Sequence, residues 1–505
     1  MMSESVGALD CGDDAAMSSS GRFTVILLFL LVVVSLWGVF SGVLSWLPFI
    51  LVNLFVAVWV VWFSGFHRRL DVLFIQFILI MMQHSLARRW VVYHDAVVPL
   101  YGLLGGWFSP VMLLMVSGVF VLMVSGRVDN ALKRCYGLLD EHSLLVIVLV
   151  LGLFVRIDTA YSEIDIDLLD YVTLSQNLNI FDKNFANIYS YSGWDNHNIG
   201  KPPLMSLPIL ANQMVFGQDT FSKIFMTKMI SMLADILVGI MLWAIVLEAT
   251  RDKNKALLAA ALWVMNPFII QHSATHGKFD SVFLFLLLLA LKNINSRVSS
   301  VYLAFSLGVK HAPLVLVPWL LSVKKSRMLV TSLIILALIV SPIIIHNPSG
   351  FFKQMITNHV EIQHYYHSWY VFIERCRDIT GIQLISHEII APLMFLVLGI
   401  LCILISHFLK PDPYSYLAFS FAFIILVMPA IYRQELIWCL PFFIICYFKD
   451  KGYASSMIPF SLITFIGIYR LMGYWNLLLS MALVYFIIDS FIIDLVEAVK
   501  EKIRA

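Results

Sequence analysis

Long runs of apolar residues recur along the chain, from residue 23 to residue 494. Many of them approach or reach the roughly 20 helical residues that cross the hydrocarbon core of a bilayer. Of the 505 residues, 60% are hydrophobic and 13% are charged, whereas apolar residues make up about 45–50% of a typical soluble domain. The sequence therefore predicts an all-α polytopic membrane protein and excludes an ordinary soluble domain.

Charge and cysteine content exclude further classes of protein. The formal net charge is +2, which is too small to indicate a nucleic-acid partner. The six cysteines are scattered, with no CxxC pair or other metal-like spacing, so they indicate neither a disulfide framework nor a zinc site. We expect membrane lipids, and no nucleic acid, among the partners of the chain.

Basic clusters orient the apolar runs, because Lys and Arg concentrate in cytoplasmic loops. Assigning the clusters to one side predicts about 14–16 transmembrane helices with both chain ends in the cytoplasm, although Arg88 and Arg89 depart from this rule. Three of the predicted spans cover 224–248, 256–270 and 279–293. The clusters lie at 67–69, 127–134, 251–255, 292–297, 324–327, 449–451 and 500–504.

Four regions follow from this pattern. Two long loops, 158–223 and 347–386, fall on the far side, opposite the basic clusters, and we expect short interfacial helices in them, such as 202–217. The predicted regions are a disordered cytoplasmic N-terminus (1–22), an additional N-terminal transmembrane module (23–140), a transmembrane core that carries both long loops (141–450), and C-terminal transmembrane helices with a short cytoplasmic tail (451–505).

The densest group of carboxylates begins the first far-side loop, in "SEIDIDLLDY" (162–171). Asp165 and Asp167 lie two residues apart, flanked by Glu163 and Asp170. Like charges so close are unfavourable unless a cation or a substrate offsets them. A carboxylate there is suited to take a proton from an acceptor hydroxyl. The alternative is a solvated acidic surface beside a helix end.

Isolated cations lie at other far-side helix ends, where the charge rule disfavours them. Their positions predict a bound phosphate or pyrophosphate, which accepts charge-assisted hydrogen bonds; for each cation alone, a solvated loop residue remains the alternative. We predict that Glu163, Asp170, Asp280, His359 and His364 support the site or bind the acceptor. The predicted phosphate ligands are Lys201, His276, Lys278, Lys310, His311 and Arg433.

Several segments resemble the GT-C superfamily of integral-membrane glycosyltransferases, and within it the mannosyltransferases that use polyprenyl- or dolichyl-phosphate sugars. "EIDIDLLDYVTLSQNL" (163–178) is similar to their Asp-x-Asp motif and the helix after it. The resemblance covers roughly residues 143–447, and Lys201, Lys278 and Arg433 depart from its usual residues. It also includes "NPFIIQHSATHGKFDSVFLFLLLLAL" (266–291), "SLGVKHAPLVLVPWLL" (306–321) and "YRQELIWCLPFFII" (432–445).

The resemblance implies a GT-C-type helical bundle and an inverting transfer of a sugar from a polyprenyl-phosphate donor, with mannose as the leading candidate for the sugar. The acceptor would be lipid-linked or a glycan, on the extracytoplasmic or lumenal face of a bacterial or archaeal cell membrane or the endoplasmic reticulum. Asp165 or Asp167 would be the base. We predict no cofactor and no metal, although the paired aspartates leave a divalent cation open.

Two other classes of function compete with an enzyme. A transporter or flippase of lipid-linked sugars would place charged residues near the bilayer midplane and often shows inverted repeats. Here the charges gather in one-sided loops, and Asp235 is the clearest charge within a span. A catalytically inactive scaffold subunit is the third possibility, and the intact aspartate pair argues against it.

Overall fold

The structure is a computed structural model, and the described residues all lie in one compact unit, 132–505. The predicted N-terminal module (23–140) and most of both long loops lie outside the described residues. Those residues are 141–160, 220–346, 348–349, 387–427, 433–449, 454–469 and 474–504.

Every regular element of the described part is helical, which confirms the predicted all-α class. Two π-helical turns and two 3₁₀ helices interrupt the α-helices. The α-helices are α1 (Glu141–Ala160), α2 (Thr220–Thr250), α3 (Lys253–Val264), α4 (Pro267–Ile270), α5 (Asp280–Lys292), α6 (Val298–Val309), α7 (Val317–Ser322), α8 (Ser326–His346), α9 (His387–Phe408), α10 (Pro413–Val427), α11 (Leu440–Lys449), α12 (Ala454–Tyr469), α13 (Tyr474–Ile487) and α14 (Ile493–Arg504). The 3₁₀ helices are Ala312–Leu316 and Arg433–Cys439, and the π-helical turns are Gln271–Thr275 and Ile488–Ile492.

Two helical segments of the described part are long and apolar enough to cross a membrane, Ile224–Thr250 and Leu479–Lys502. A third crossing results if Lys253–Val264 and Pro267–Thr275, bent by 44° relative to each other, form one span. A number of shorter apolar helices accompany them. The total of 14–16 crossings therefore stays a prediction.

One face of α8 exposes large apolar side chains at helical spacing. Val330, Ile334, Leu338 and Ile345 are 53%, 55%, 68% and 80% exposed. In water such a continuous apolar surface is unfavourable, whereas lipid acyl chains are as apolar as these side chains. The face is suited to contact with the bilayer.

Close packing joins α1, α2 and the end of α3. Val264, the last residue of α3, lies against Gly152 of α1 and Gly239 of α2. A Cβ atom at either glycine would collide with a γ-methyl group of Val264. Small residues at these two positions therefore let three helices approach one another closely, as is common in membrane proteins.

The helix is interrupted between α3 and α4, inside the segment 256–270 that the sequence predicts as a single span. The Asn266 side chain accepts hydrogen bonds from the backbone N–H groups of Phe268 (3.0 Å) and Ile269 (3.4 Å), and donates one to Thr464 (3.0 Å). Pro267 follows at the first helical position, where it is favoured. The cap and the proline start a new helix, so the helix direction changes before the turn at Gly277, whose φ is 59°.

Candidate functional site

A buried carboxylate organises one end of the helical bundle. Asp280, the first residue of α5, accepts hydrogen bonds at Oδ1 from Lys310 Nζ (2.5 Å) and Trp438 Nε1 (2.7 Å). Its Oδ2 lies 3.1 Å from Nε2 of His272. Because a carboxylate only accepts hydrogen bonds, this contact places a proton on His272 Nε2. These four residues are named the Asp280 cluster below.

Four separate segments supply the Asp280 cluster. His272 lies in the π-helical turn Gln271–Thr275, a type of distortion that is frequent at functional sites. Lys310 follows the last residue of α6, in extended conformation (φ −151°, ψ 143°), which ends the helix. Trp438 lies in the 3₁₀ helix Arg433–Cys439. The Trp438 ring packs edge-on against Phe283, with centroids 5.9 Å apart.

Burial and charge divide the Asp280 cluster into a covered part and an accessible part. The side chains of Asp280 and His272 are each 3% exposed, and that of Lys310 is 17% exposed. The ammonium of Lys310 also lies 4.8 Å from the centroid of the Trp438 ring, a cation–π contact. The arrangement holds one cation in a defined place on a side chain that is partly exposed.

Other predicted phosphate ligands lie next to the Asp280 cluster in the chain. His276 and Lys278 are half-buried and lie in the turn that precedes Asp280, and His311 is exposed and follows Lys310. The structure thus brings Asp280 and Lys310 into direct contact. In the sequence, each of the other three residues lies within a few positions of one of them. All five lie at the end of α5 opposite Lys292.

Apart from the backbone of Arg433, the remaining predicted site residues lie outside the described part, and the assignments of all of them stay predictions. Of Arg433, the structure describes the backbone, which begins the 3₁₀ helix that carries Trp438. The predicted site residues that lie wholly outside the described part are Glu163, Asp165, Asp167, Asp170, Lys201, His359 and His364.

A second polar network lies next to the Asp280 cluster, deeper among the helices. Nε of Arg156 lies 3.1 Å from Oδ2 of Asp235, and both side chains are fully buried. The hydroxyl of Ser281 donates a hydrogen bond to Oδ1 of the same carboxylate. Arg156 Nη1 donates to the carbonyl oxygens of Val264 (2.6 Å) and Gly152 (3.0 Å). The network connects α1, α2, α3 and α5.

Reasoning from the sequence singled out Asp235 but missed Arg156, Ser281 and Trp438. A signal for Arg156 was present, because it is a lone basic residue in the apolar run 143–157. A charged residue within an apolar helix needs a partner of opposite charge, and Asp235 is the clearest acidic residue within a neighbouring span. Trp438 carried no such signal, since indole rings are common in apolar helices.

The described residues offer a better match to an anion than to a metal ion. Among them, no group of three His, Cys, Asp or Glu side chains is arranged to hold a metal. The half-buried side chains near the Asp280 cluster in the chain include the imidazole of His276 and the ammonium of Lys278, beside the polar groups of Gln271, Gln434 and Glu435.

A family model, glycosyltransferase family 87, matches residues 213–431. This family is one of the GT-C-like membrane glycosyltransferases, and the match indicates a glycosyltransferase. The matched segment includes Asp235, His272, Asp280 and Lys310, and ends before Trp438. Searches of curated proteins and of solved structures found no significant match. Together with the apolar helices, the family match indicates a membrane protein.

Proposed function

We propose that the protein transfers a sugar from a polyprenyl-phosphate donor to a lipid-linked or glycan acceptor, with mannose as the leading candidate for the sugar. The reaction takes place on the extracytoplasmic or lumenal face of the membrane. The resemblance of the sequence to mannosyltransferases that use polyprenyl-phosphate sugars supports the choice of donor, and the match to glycosyltransferase family 87 supports the class of reaction.

The position of Lys310 is the observation that carries the proposal. Its side chain is partly exposed at a helix end, and its ammonium is held there by a buried carboxylate and an indole ring. A fixed, partly desolvated cation favours a phosphate more than a freely moving surface lysine does. We assign Lys310 to the donor phosphate, with His276, Lys278 and His311 as neighbouring ligands and Lys201 and Arg433 as further candidates.

The two ends of α5 support the membrane face that we propose for the site. Asp280 begins this helix and Lys292 ends it, so about 18 Å of helix separates them. Lys292 forms an ion pair with Glu248 (2.5 Å), at the end of α2 that is followed by the basic cluster 251–255. If the basic end faces the cytoplasm, the Asp280 cluster faces the opposite side.

The chemistry is a single displacement at the anomeric carbon. The acceptor oxygen forms a bond to C1 of the sugar, and its proton passes to the carboxylate of Asp165 or Asp167. The bond between C1 and the phosphate oxygen breaks, and its electron pair leaves with the lipid phosphate. Negative charge grows on the phosphate in the transition state, so a cation placed there lowers the barrier. One displacement inverts the configuration at C1.

Purified protein in lipid nanodiscs, incubated with a panel of polyprenyl-phosphate sugars and lipid acceptors, tests the proposal. We expect mass spectrometry to detect the glycosylated acceptor and free polyprenyl phosphate in equal amounts, with a Lys310→Ala variant impaired. Lys255→Ala is a matched control, because Lys255 is 52% exposed and belongs to the basic end. Transfer from nucleotide sugars alone would contradict the proposed donor, and movement of a lipid-linked sugar across the bilayer without transfer would indicate a transporter.

A further inference from the structure

Two consecutive residues of α5 link the two polar networks. The Asp280 carboxylate contacts Lys310, and the Ser281 hydroxyl contacts Asp235. Successive residues of an α-helix point about 100° apart. One turn of backbone is therefore held on one side by the Asp280 cluster and on another by the Arg156–Asp235 pair.

We infer that Arg156, Asp235 and Ser281 are positioning residues that hold the first turn of α5, so that Asp280 keeps the Lys310 ammonium in place for the donor phosphate. The inference rests on the proposed function of Lys310. The three residues act through the α5 backbone and touch no reacting atom.

Neighbouring contacts restrict the Asp235 carboxylate. The backbone carbonyl oxygen of Asp235 accepts a hydrogen bond from Trp263 Nε1 (3.0 Å), which ties this turn of α2 to α3. Arg156 is tied to the end of α3 through the carbonyl oxygen of Val264. Because α2 and α3 are joined in this way, the Asp235 carboxylate, which accepts the hydrogen bond of the Ser281 hydroxyl, has a defined position. A shift of the first turn of α5 would break that hydrogen bond.

Stability alone does not account for the Arg156–Asp235 pair. Both charges are removed from water, and among the described residues Nη2 of Arg156 has no hydrogen-bond partner. Replacing both members of a buried ion pair with apolar residues is often neutral or stabilising, whereas removing one member leaves an unpaired charge. A variant that lacks the whole pair therefore separates folding from positioning.

Donor kinetics of Ser281→Ala and of the double variant Arg156→Met/Asp235→Leu test the inference. We expect the KM for the polyprenyl-phosphate donor to rise about fivefold in Ser281→Ala, as for the loss of one ordinary hydrogen bond. The double variant should fold and show a similar rise. The KM for the acceptor should stay at the wild-type value in both. Ser332→Ala is a matched control, since Ser332 is also fully buried and donates to backbone oxygens of Ser300 (3.0 Å) and Met328 (2.8 Å); its donor KM should not change.

A double-mutant cycle with Lys310→Ala separates positioning from a general structural role. If Ser281 acts through Lys310, Ser281→Ala has no further effect on donor KM once Lys310 is absent. Equal effects of Ser281→Ala in both backgrounds, or a wild-type donor KM in Ser281→Ala, would overturn the inference. If Lys310→Ala itself leaves the donor KM unchanged, the assignment of Lys310 to the donor phosphate fails instead.

Discussion

The Nζ atom of Lys310 lies 2.5 Å from Oδ1 of Asp280, and the same carboxylate oxygen accepts a hydrogen bond from Trp438 Nε1 at 2.7 Å. The Asp280 side chain is nearly inaccessible, whereas the Lys310 side chain is partly exposed. An ion pair of this kind holds a flexible lysine in one conformation. The ordering of the side chain is then complete before a substrate arrives, so less free energy is lost on binding.

Replacement of Lys310 by Ala should weaken donor use by about 10- to 100-fold in kcat/KM, as expected for the loss of a hydrogen bond to a charged group. The variant also leaves Asp280 without its cation, which is destabilising. Lys310→Met combined with Asp280→Asn removes both charges and serves as the folding control, with the melting temperature measured beside the kinetics. A wild-type donor kcat/KM in both variants would point to other phosphate ligands.

Replacement of Asp165 or Asp167 by Asn should lower transfer activity at one of the two positions by about 10²- to 10⁴-fold, the usual contribution of a general base. The amide keeps the size of the side chain and removes its capacity to accept the proton. Expression and membrane insertion should match the wild type, as measured by immunoblots of membrane fractions. Normal turnover in both single variants would contradict a base in this pair.

A Cβ atom at Gly239 should destabilise the junction of α1, α2 and α3. Gly239→Ala brings a methyl group against a γ-methyl of Val264, and overpacking of this kind typically costs about 1–3 kcal/mol. We expect a lower melting temperature for Gly239→Ala and partial recovery in Gly239→Ala/Val264→Ala. Gly399→Ala is the control, because nothing lies within 4 Å of a Cβ atom there and alanine favours a helix over glycine. Equal melting temperatures for Gly239→Ala and the wild type would show that the helices move apart without cost.

Removal of divalent cations should leave transfer unchanged. The proposed displacement needs a carboxylate base and cationic ligands for the phosphate, and in this proposal the charge of Lys310 takes the role that a metal ion has in other transferases. The measurement is the initial rate in EDTA compared with the rate in added Mg²⁺ or Mn²⁺. A rate that falls in EDTA and returns with one of these ions would contradict the prediction and show that transfer requires a divalent cation, with Asp165 and Asp167 as the first ligands to test.

Much of the helical pattern follows from the sequence, because an apolar run and its flanking charges are local properties. The run predicted as a span over 224–248 lies within α2 (Thr220–Thr250), and the run over 279–293 corresponds to α5 (Asp280–Lys292). The bend after Val264 was not predicted, although Asn266 and Pro267 signal a helix start. Apolar residues continue on both sides of that bend, so the periodicity alone shows no interruption.

The sequence by itself determined the helical class, the approximate helix ends and the polar residues that must find partners inside apolar surroundings. Only the tertiary structure decided which partners they find. Asp280 meets Trp438 across 158 positions, and Arg156 meets Asp235 across 79. A buried charge requires a partner of opposite charge or a hydrogen bond, but this requirement does not depend on separation along the chain. Helix packing, including the close approach at Gly152 and Gly239, selects one pairing from the many that the composition allows.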